Sequence, residues 1–272
     1  SIFWETEIGK GRPGWHLECS AMSMDILGEH FDIHTGGVDN MFPHHENEIA
    51  QSEGATGHKF VNYWMHSEHL IVEGKKMSKS LGNYYTLRDI INKGYSGKAV
   101  RYVLIATHYR QQLNFTFEGL DAACNALERY NDFIANLSQY LGGNSDGSAA
   151  SVIDKTAKGF EETLDDDLNI SGALGAVFDF IRDINRLKAE NKLSILERDQ
   201  SLALVKQFDT VLNFTSDKTG ALDEKVEVLI QKRNDARKAK NFALSDKIRD
   251  ELIAMGIILE DTPQGVRWKR KV

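Results

Sequence analysis

Cysteine is scarce in this sequence: its 272 residues include two, Cys19 and Cys124, which lie far apart in the chain. Two such cysteines do not form the disulfide framework of a small secreted domain, so we expect a reducing, cytoplasmic environment. There is no apolar run long enough to span a bilayer. The first residues lack the basic start and apolar stretch of a secretory signal. We also find no internal repeat and no low-complexity tract.

The composition is that of an ordinary globular protein, with 41% hydrophobic and 27% charged residues. The length allows a substantial core and two or three domains. The net charge of −7 is unevenly distributed, because residues 225–272 carry 12 lysines and arginines against 7 acidic residues. A basic block on an acidic protein indicates a polyanionic partner, although a solvated charged helix also explains the pattern.

Strand and helix patterns alternate in the first part of the chain. Phe31–Gly37 predicts a buried strand that ends in a glycine turn, and Pro43–Glu53 predicts a helix with proline at its first position. Strand, turn and helix form the unit of an α/β sheet, whose ligands bind at the carboxyl ends of the strands. His69–Asn83 then predicts an apolar strand followed by a polar loop.

Helical periodicity dominates from Thr86 onward and indicates a helical bundle. Residues 142–151 predict a flexible linker, and residues 216–220 mark a boundary. The final segment predicts two helices and a small hairpin, whose turn covers residues 262–265. The bundle helices are predicted over 120–141, 152–164, 170–190 and 199–212.

Cys19, His44 and Glu48 offer a thiolate, an imidazole and a carboxylate, which are ligand types that zinc accepts. We expect Cys19 on a strand and the other two residues, four positions apart, on one face of the next helix. Three protein ligands and an open position are typical of a functional zinc site. A buried cysteine beside a solvated His–Glu pair is the simpler alternative. His45 is adjacent, so periodicity does not decide which histidine is the ligand.

Lys75–Asn83, with the sequence KKMSKSLGN, predicts a mobile cationic loop. Its lysines could surround the phosphates of a nucleotide and neutralise charge that develops in the transition state. The order of its glycines does not match a Walker-type phosphate loop. A solvated basic turn would explain any two lysines, but it is the weaker explanation for KMSKS in this setting.

His34–Asn40, with the sequence HTGGVDN, places glycines directly after the predicted strand. Gly36 and Gly37 would let a nucleotide approach the backbone, and Asp39 could bind ribose hydroxyls. Many turns between a strand and a helix are glycine-rich for steric reasons alone, so this motif by itself indicates little.

Together these motifs resemble those of one family, the cysteinyl-tRNA synthetases, which are class I aminoacyl-tRNA synthetases. KMSKS alone is typical of the class, whereas PHHENE together with WHLECSAM is specific to the family. The likeness extends over essentially the whole chain. The segments that carry it are Gly11–Met22, Phe42–Ser52, Lys76–Asn83, His108–Phe115, Arg233–Leu252 and Leu259–Trp268.

The resemblance implies an α/β fold that is the second half of a class I Rossmann-like catalytic domain, followed by an α-helical bundle and a small α+β module. The implied domains are the catalytic half with its zinc site (1–68), the KMSKS loop and stem-contact connection (69–115), a DALR-like tRNA-binding bundle (116–217) and a basic anticodon-binding module (218–272).

The resemblance also implies a role for each motif. One zinc ion would bind Cys19, His44 and Glu48 and also the sulfur of the substrate cysteine, whose pocket Trp15 and His16 would line beside the strand of Cys19. Lys79, assisted by Lys76, would bind ATP and stabilise its α-phosphate during adenylate formation. The adenosine contacts would be Gly36, Gly37 and Asp39, and the tRNA contacts Arg233, Arg237 and Trp268.

The implied activity is the ATP- and Mg²⁺-dependent activation of L-cysteine and its transfer to tRNA(Cys) by a cytoplasmic monomer. The chain departs from the family pattern because the HIGH-type motif and a fourth, cysteine ligand of the family are not in it. We therefore expect the C-terminal part of such an enzyme, inactive alone. The alternatives are a non-catalytic tRNA-binding fragment and a related ligase that joins cysteine to an amino sugar.

Overall fold

The computed structural model describes residues 2–215, 220–239, 241–262 and 265–270. The chain divides into two compact units. The first consists of Ser1–Tyr84 with Thr107–Thr116, and the second of Tyr85–Ala106 with Phe117–Val272. Among the described residues, no helix combines the length and the apolar character that crossing a membrane requires.

A strand–helix–strand unit forms the centre of the first unit. Strand β3 (Phe31–Gly37) pairs in parallel with β4 (Val61–Ser67), and helix α2 (Glu46–Thr56) connects them. The prediction of a strand over Phe31–Gly37 is therefore confirmed, but the strand is partly exposed rather than buried, and its two glycines lie within it rather than in a turn. The register aligns Gly36 with His66, so the carboxyl end of β3 lies beside a histidine of β4.

Cys19 lies on a helix, and the expectation of a strand there was wrong. Helix α1 (Trp15–Leu27) begins after Gly14, which has extended backbone angles, and ends at Gly28, whose φ is 91°. Its sequence favours a helix because it contains two leucines and two methionines, and because its one β-branched residue is Ile26.

Helix α2 begins later than the sequence predicted. Pro43 lies in a π-helical turn over Met41–His45, and the α-helix starts at Glu46. Phe42, the residue before Pro43, has φ −134° and ψ 131°, because proline disfavours helical angles in the residue before it. The α-helical hydrogen-bond pattern begins only at Glu46. His44 therefore belongs to the turn and Glu48 to the helix.

Two small sheets complete the first unit. Strand β5 (Leu70–Val72) pairs antiparallel with β6 (Lys75–Lys76) and parallel with β7 (Leu113–Phe115). Strand β5 is the apolar strand that the sequence predicted after His69. The cationic loop leaves this sheet at the end of β6. The other sheet is the hairpin of β1 (Trp4–Thr6) and β2 (Gly9–Gly11).

The second unit is a helical bundle, as the sequence predicted. The linker predicted over 142–151 lies between two of its helices only as far as Gly147, because the next helix already begins at Ser148. Gly143 there donates a backbone hydrogen bond to Leu193 at 2.7 Å. The aromatic side chains of Phe160, Phe180 and Phe208 are buried and contact one another in its core. Its helices are α3 (Leu87–Asn92), α4 (Gly97–Ala106), α5 (Phe117–Ser138), α6 (Ser148–Asp165), α7 (Ile170–Ala189) and α8 (Ile195–Leu212).

The last part of the chain contains the two helices and the hairpin that the sequence predicted. They are α9 (Gly220–Lys238), α10 (Phe242–Ala254), β8 (Ile257–Thr262) and β9 (Gly265–Arg270). Val226, Ile230, Ile248, Leu252 and Ile257 contribute to a separate apolar core. The boundary predicted at 216–220 and the turn centre at 263–264 lie largely outside the described residues.

Candidate functional site

Cys19, His44 and Glu48 come together in the first unit. One potential ligand atom from each of the three residues lies within 4.8 Å of the others. Cys19 is half-buried, His44 is buried, and Glu48 is 0% exposed. Helix α1, the turn before α2, and α2 itself each contribute one of these residues. Together they form a largely buried pocket of mixed sulfur, nitrogen and oxygen donors.

The carboxylate of Glu48 is only half satisfied. Its Oε2 is 2.6 Å from Nε2 of His34 in a hydrogen bond. Its Oε1 is 2.7 Å from Nε2 of His44, at an angle that does not make a hydrogen bond, and the Cys19 thiol also approaches this carboxylate, while Nδ1 of His44 has no hydrogen-bond partner. Unpaired polar atoms are costly to bury. The side of the carboxylate that faces His44 therefore fits a cation.

Burial raises the pKa of the Cys19 thiol, and the nearby carboxylate of Glu48 raises it further. These surroundings keep the thiol protonated when no cation is present. A bound metal ion reverses this preference, because its charge favours the thiolate. The same carboxylate that disfavours a free thiolate would then share the ion with it.

Trp15 and His16, in the first turn of α1, lie beside this pocket. The indole of Trp15 stacks on the imidazole of His44 with 3.7 Å between ring centroids, and the ring of His16 lies 6.3 Å from His44. Trp15 remains 58% exposed, so it forms a wall of the pocket that a small ligand could still reach.

A second cluster of histidines lies on the other side of Glu48. His34, His45 and Glu48 also have potential ligand atoms within 4.8 Å of one another. Nδ1 of His45 is 2.8 Å from Nε2 of His66. Burial lowers the pKa of His45 to about 4, and the neighbouring His34, His66 and His44 add to the effect. His45 is thus a neutral, buried residue that groups with His34, whereas His44 groups with Cys19.

Sequence reasoning missed the pairing of His45 with His66. No spacing along the chain indicates this pairing, because only the parallel register of β3 and β4 brings His66 beside Gly36. A β-carbon added to Gly36 would lie 2.6 Å from Cε1 of His45. Gly36 therefore has a packing role whether or not a nucleotide approaches it.

The other residues of the glycine motif lie at the end of β3 and just beyond it. A β-carbon added to Gly37 would lie 2.5 Å from Oδ1 of Asp39. Asp39 is exposed, in a short 3₁₀ turn, and its Oδ1 is 4.0 Å from Nε2 of His69. Its carboxylate is accessible to a hydroxyl-bearing ligand.

Lys76 and Lys79 are exposed in the cationic loop, while Met77 and Ser78 between them are half-buried. Nζ of Lys79 lies 5.4 Å from the centre of the Tyr84 ring. The loop therefore directs both lysines outward and turns the intervening residues inward.

The three residues predicted to contact tRNA differ in their placement. Arg237 is exposed near the end of α9, whereas Arg233, one turn earlier, is 5% exposed. The side chain of Trp268 lies outside the described residues. Of the three, Arg237 is the one whose described side chain is at the surface.

Comparison with protein families assigns most of the chain. Residues 1–125 match the family described as tRNA synthetases class I (C) catalytic domain. Residues 159–215 match the DALR domain, and residues 219–268 match the Cysteinyl-tRNA ligase anticodon binding domain.

Curated relatives agree with these matches. A cysteine–tRNA ligase from Protochlamydia amoebophila is 54% identical over 275 residues, which cover 99% of this chain and 57% of the relative. One from Brachyspira hyodysenteriae is 48% identical, with 99% of this chain and 58% of the relative covered. The chain thus spans somewhat more than half the length of these relatives.

Among solved structures, a LeuRS–tRNA–LeuAMS ternary complex from Agrobacterium radiobacter K84 has a similar fold. The TM-score is 0.61 with 15% identity, over 78% of this chain and 33% of that one. The parallel strand–helix–strand unit, the bundle and these matches define a class I aminoacyl-tRNA synthetase fold, which confirms the predicted fold class. Within that class, the chain belongs to the cysteinyl-tRNA synthetase family.

Proposed function

We propose that this chain supplies the metal-binding and ATP-loop part of a cysteine–tRNA ligase. The reaction is the ATP- and Mg²⁺-dependent activation of L-cysteine to cysteinyl adenylate, followed by transfer of the cysteine to tRNA(Cys). The observation that carries this proposal is the group of Cys19, His44 and Glu48, whose potential ligand atoms lie within 4.8 Å of one another around a fully buried carboxylate.

The donor set fits zinc better than the common oxygen-binding cations. A thiolate and an imidazole suit zinc, whereas Mg²⁺ and Ca²⁺ prefer oxygen ligands throughout. A bound zinc ion would favour the thiolate of a ligand such as cysteine, which the hydroxyl of serine does not imitate at neutral pH. A site that must bond the distinctive group of its substrate rejects analogues by roughly 10⁴-fold without editing.

Trp15 and His16 are the residues that we expect to hold the rest of the amino acid. The exposed face of the Trp15 indole can cover the short β-methylene of a cysteine. His16, in the same helical turn, can approach the polar end of the substrate. Both side chains contact or neighbour His44, so they would fix the substrate relative to the thiol-binding group.

The phosphates of ATP are expected at the cationic loop. Lys79 and Lys76 would neutralise the negative charge that grows on the α-phosphate as the carboxylate of cysteine attacks it. Groups of this kind contribute about 2–4 kcal/mol each to transition-state stabilisation. Gly36, Gly37 and Asp39 would contact the adenosine, with the accessible Asp39 carboxylate accepting hydrogen bonds from the ribose.

The helical part is expected to bind tRNA. The matches to the DALR and anticodon-binding families over residues 159–215 and 219–268 support this. They also argue against the cysteine:amino-sugar ligase, which has no use for an anticodon-binding module. Arg237 is the expected phosphate contact. The roles of Arg233 and Trp268 stay predictions, and Arg233 would have to leave its buried position to reach RNA.

A second candidate is a tRNA-binding fragment without chemistry. The specific observation in its favour is that the chain covers 57% of its relative from Protochlamydia while still including the anticodon-binding match. The metal site separates the two candidates, because a fragment that only binds tRNA does not need it.

The decisive experiment is an elemental metal assay on the purified chain and on two cysteine variants. Cys19→Ala removes a donor from the proposed site. Cys124→Ala is the matched control, because Cys124 is the other free, half-buried cysteine and lies on α5. We expect one zinc ion per chain in the wild type and in Cys124→Ala, and none in Cys19→Ala. Equal zinc in all three proteins would contradict the proposal.

A further inference from the structure

The cationic loop is fastened at its base by one side chain. Asn83 is half-buried at the end of the loop, and its amide makes three hydrogen bonds. Nδ2 donates to the carbonyl oxygens of Val72 at 3.3 Å and Lys76 at 3.1 Å. Oδ1 accepts from the backbone N–H of Ser78 at 2.9 Å. One side chain thus ties the end of the loop to its beginning and to strand β5.

These contacts use both hydrogens of the amide group and its oxygen, which is why the residue is asparagine. An aspartate of the same shape would place a carboxylate against two carbonyl oxygens and lose both donors. An aliphatic residue would leave the carbonyl of the buried Val72 without this donor. No other side chain of this size offers two donors and one acceptor in one plane.

The rest of the loop has its own local bonds. Gly82 donates to the carbonyl of Lys79 at 3.2 Å, and the N–H of Leu81 donates to Oγ of Ser78 at 3.2 Å. The face of the next residue, Tyr84, lies against the ammonium group of Lys79. The hydrogen bonds of Asn83 therefore fix the backbone of the loop, and the ammonium group of Lys79 lies over the ring of Tyr84.

We propose that Asn83 is a positioning residue that fixes the backbone between Lys76 and Lys79, so that both ammonium groups face the same phosphate. This rests on the proposed role of the loop in ATP binding. The sequence motif places the lysines three apart, but a free loop would let them diverge. Tying the carbonyl of Lys76 and the N–H of Ser78 to one amide sets the direction of the chain on both sides of Met77.

Limited trypsin digestion measures directly how strongly the three hydrogen bonds of Asn83, here called the Asn83 clamp, restrain the cationic loop. The reason is that Lys79, a trypsin site, lies within this loop. Asn83→Asp is compared with Asn92→Asp, the same change at an exposed position at the end of α3. Cleavage after Lys59, in an exposed segment between α2 and β4, reports general loosening of the first unit. We expect Asn83→Asp to speed cleavage after Lys79 about tenfold, the effect of losing ~1.4 kcal/mol of hydrogen bonding, with cleavage after Lys59 unchanged.

Two results of this assay would contradict the proposal that Asn83 restrains the loop. One is an unchanged rate after Lys79 in Asn83→Asp. The other is an equal acceleration after Lys59, which would mean that the unit as a whole has loosened. The Asn92→Asp protein should match the wild type at both sites, and a tenfold acceleration there would show that the effect does not belong to Asn83.

Pyrophosphate exchange then tests positioning, in the presence of the segment of the relative that this chain does not match. Asn83→Asp should raise the KM for ATP or lower kcat about tenfold while the KM for cysteine stays unchanged. A looser loop with unaltered ATP kinetics would refute the positioning role. Absence of exchange in the wild type would count against the proposed function instead, and the trypsin result would still decide the clamp.

Discussion

At the scale of single residues, Glu48 belongs to two groups at once. One oxygen is hydrogen-bonded to His34, and the other faces Cys19 and His44. The sequence predicted the Cys19 group from residue chemistry, because cysteine, histidine and glutamate in one neighbourhood are recognisable ligand types. It did not predict the part played by His45 and His66, because their contact depends on the parallel register of two strands rather than on spacing along the chain.

The packing role of Gly36 leads to a stability prediction. Gly36→Ala would place a methyl group 2.6 Å from the ring of His45, which is buried and bonded to His66 and so has little freedom to move. Overpacking of this kind costs about 1–3 kcal/mol. Gly54→Ala is the matched control, because Gly54 lies inside α2 with no atom within 4 Å of the added carbon.

Urea unfolding followed by circular dichroism measures both variants. We expect Gly36→Ala to lower the free energy of unfolding and Gly54→Ala to raise it by roughly 0.5–1 kcal/mol, because alanine favours a helix over glycine. If Gly36→Ala were as stable as the wild type, the contact with His45 would not be the reason for glycine at this position.

At the scale of elements, the bundle was easier to predict than α1. Helices α5 and α7 each bury an apolar stripe, so their sequences carry the period of a helix. Helix α1 carries no such stripe, since Leu17, Met22 and Ile26 are all exposed among the described residues. The sequence did not predict where α2 starts, because the pattern of an ordinary helix does not include the π-helical turn at Met41–His45 or the extended backbone of Phe42.

At the start of α8, the carboxylate of Glu197 has two structural roles. Glu197 completes a capping box with Ser194, and its other oxygen accepts a hydrogen bond from Ser145 in the linker predicted over 142–151. Burial opposes ionisation of Glu197, but the hydrogen bonds from Ser194 and Ser145 prevail and lower its pKa. The linker is thus attached to the bundle rather than independent of it.

Glu197→Ala should therefore cost about 2 kcal/mol of stability at neutral pH. Because the pKa of Glu197 is lowered in the folded protein, its contribution is complete above the unfolded pKa and is lost as the pH falls through the folded value. The difference between variant and wild type should shrink in acid. Asp89→Ala, in the exposed capping box of α3, is the control and should cost less, because solvent screens its interactions. Equal losses in thermal unfolding would argue against a special role for burial at α8.

At the scale of the whole molecule, the pair of β3 and β4 is exposed to an unusual degree. Parallel sheets are normally covered on both faces, yet Ile33 and Tyr63 are 55% and 69% exposed in the described chain. These faces are therefore available for packing against further strands, and the chain covers 57% of the relative from Protochlamydia. Our proposal is that the activity requires such strands.

We therefore expect ATP–pyrophosphate exchange from a mixture of this chain and the unmatched segment of that relative, and background rates from either one alone. Robust exchange by the 272 residues alone would contradict the expectation. If the mixture stays inactive while the chain still binds tRNA(Cys), the tRNA-binding fragment becomes the better account. Filter binding at increasing salt concentration measures that affinity.

The three donors of the proposed metal site come from α1, from the turn before α2 and from α2 itself. An ion held there would act as a cross-link between segments that the backbone connects only through β3. Unfolding of the first unit would then be coupled to the free zinc concentration by mass action. A chelator should therefore lower the melting temperature of the first unit although the polypeptide itself is unchanged. The stability of this unit would then depend on the supply of zinc.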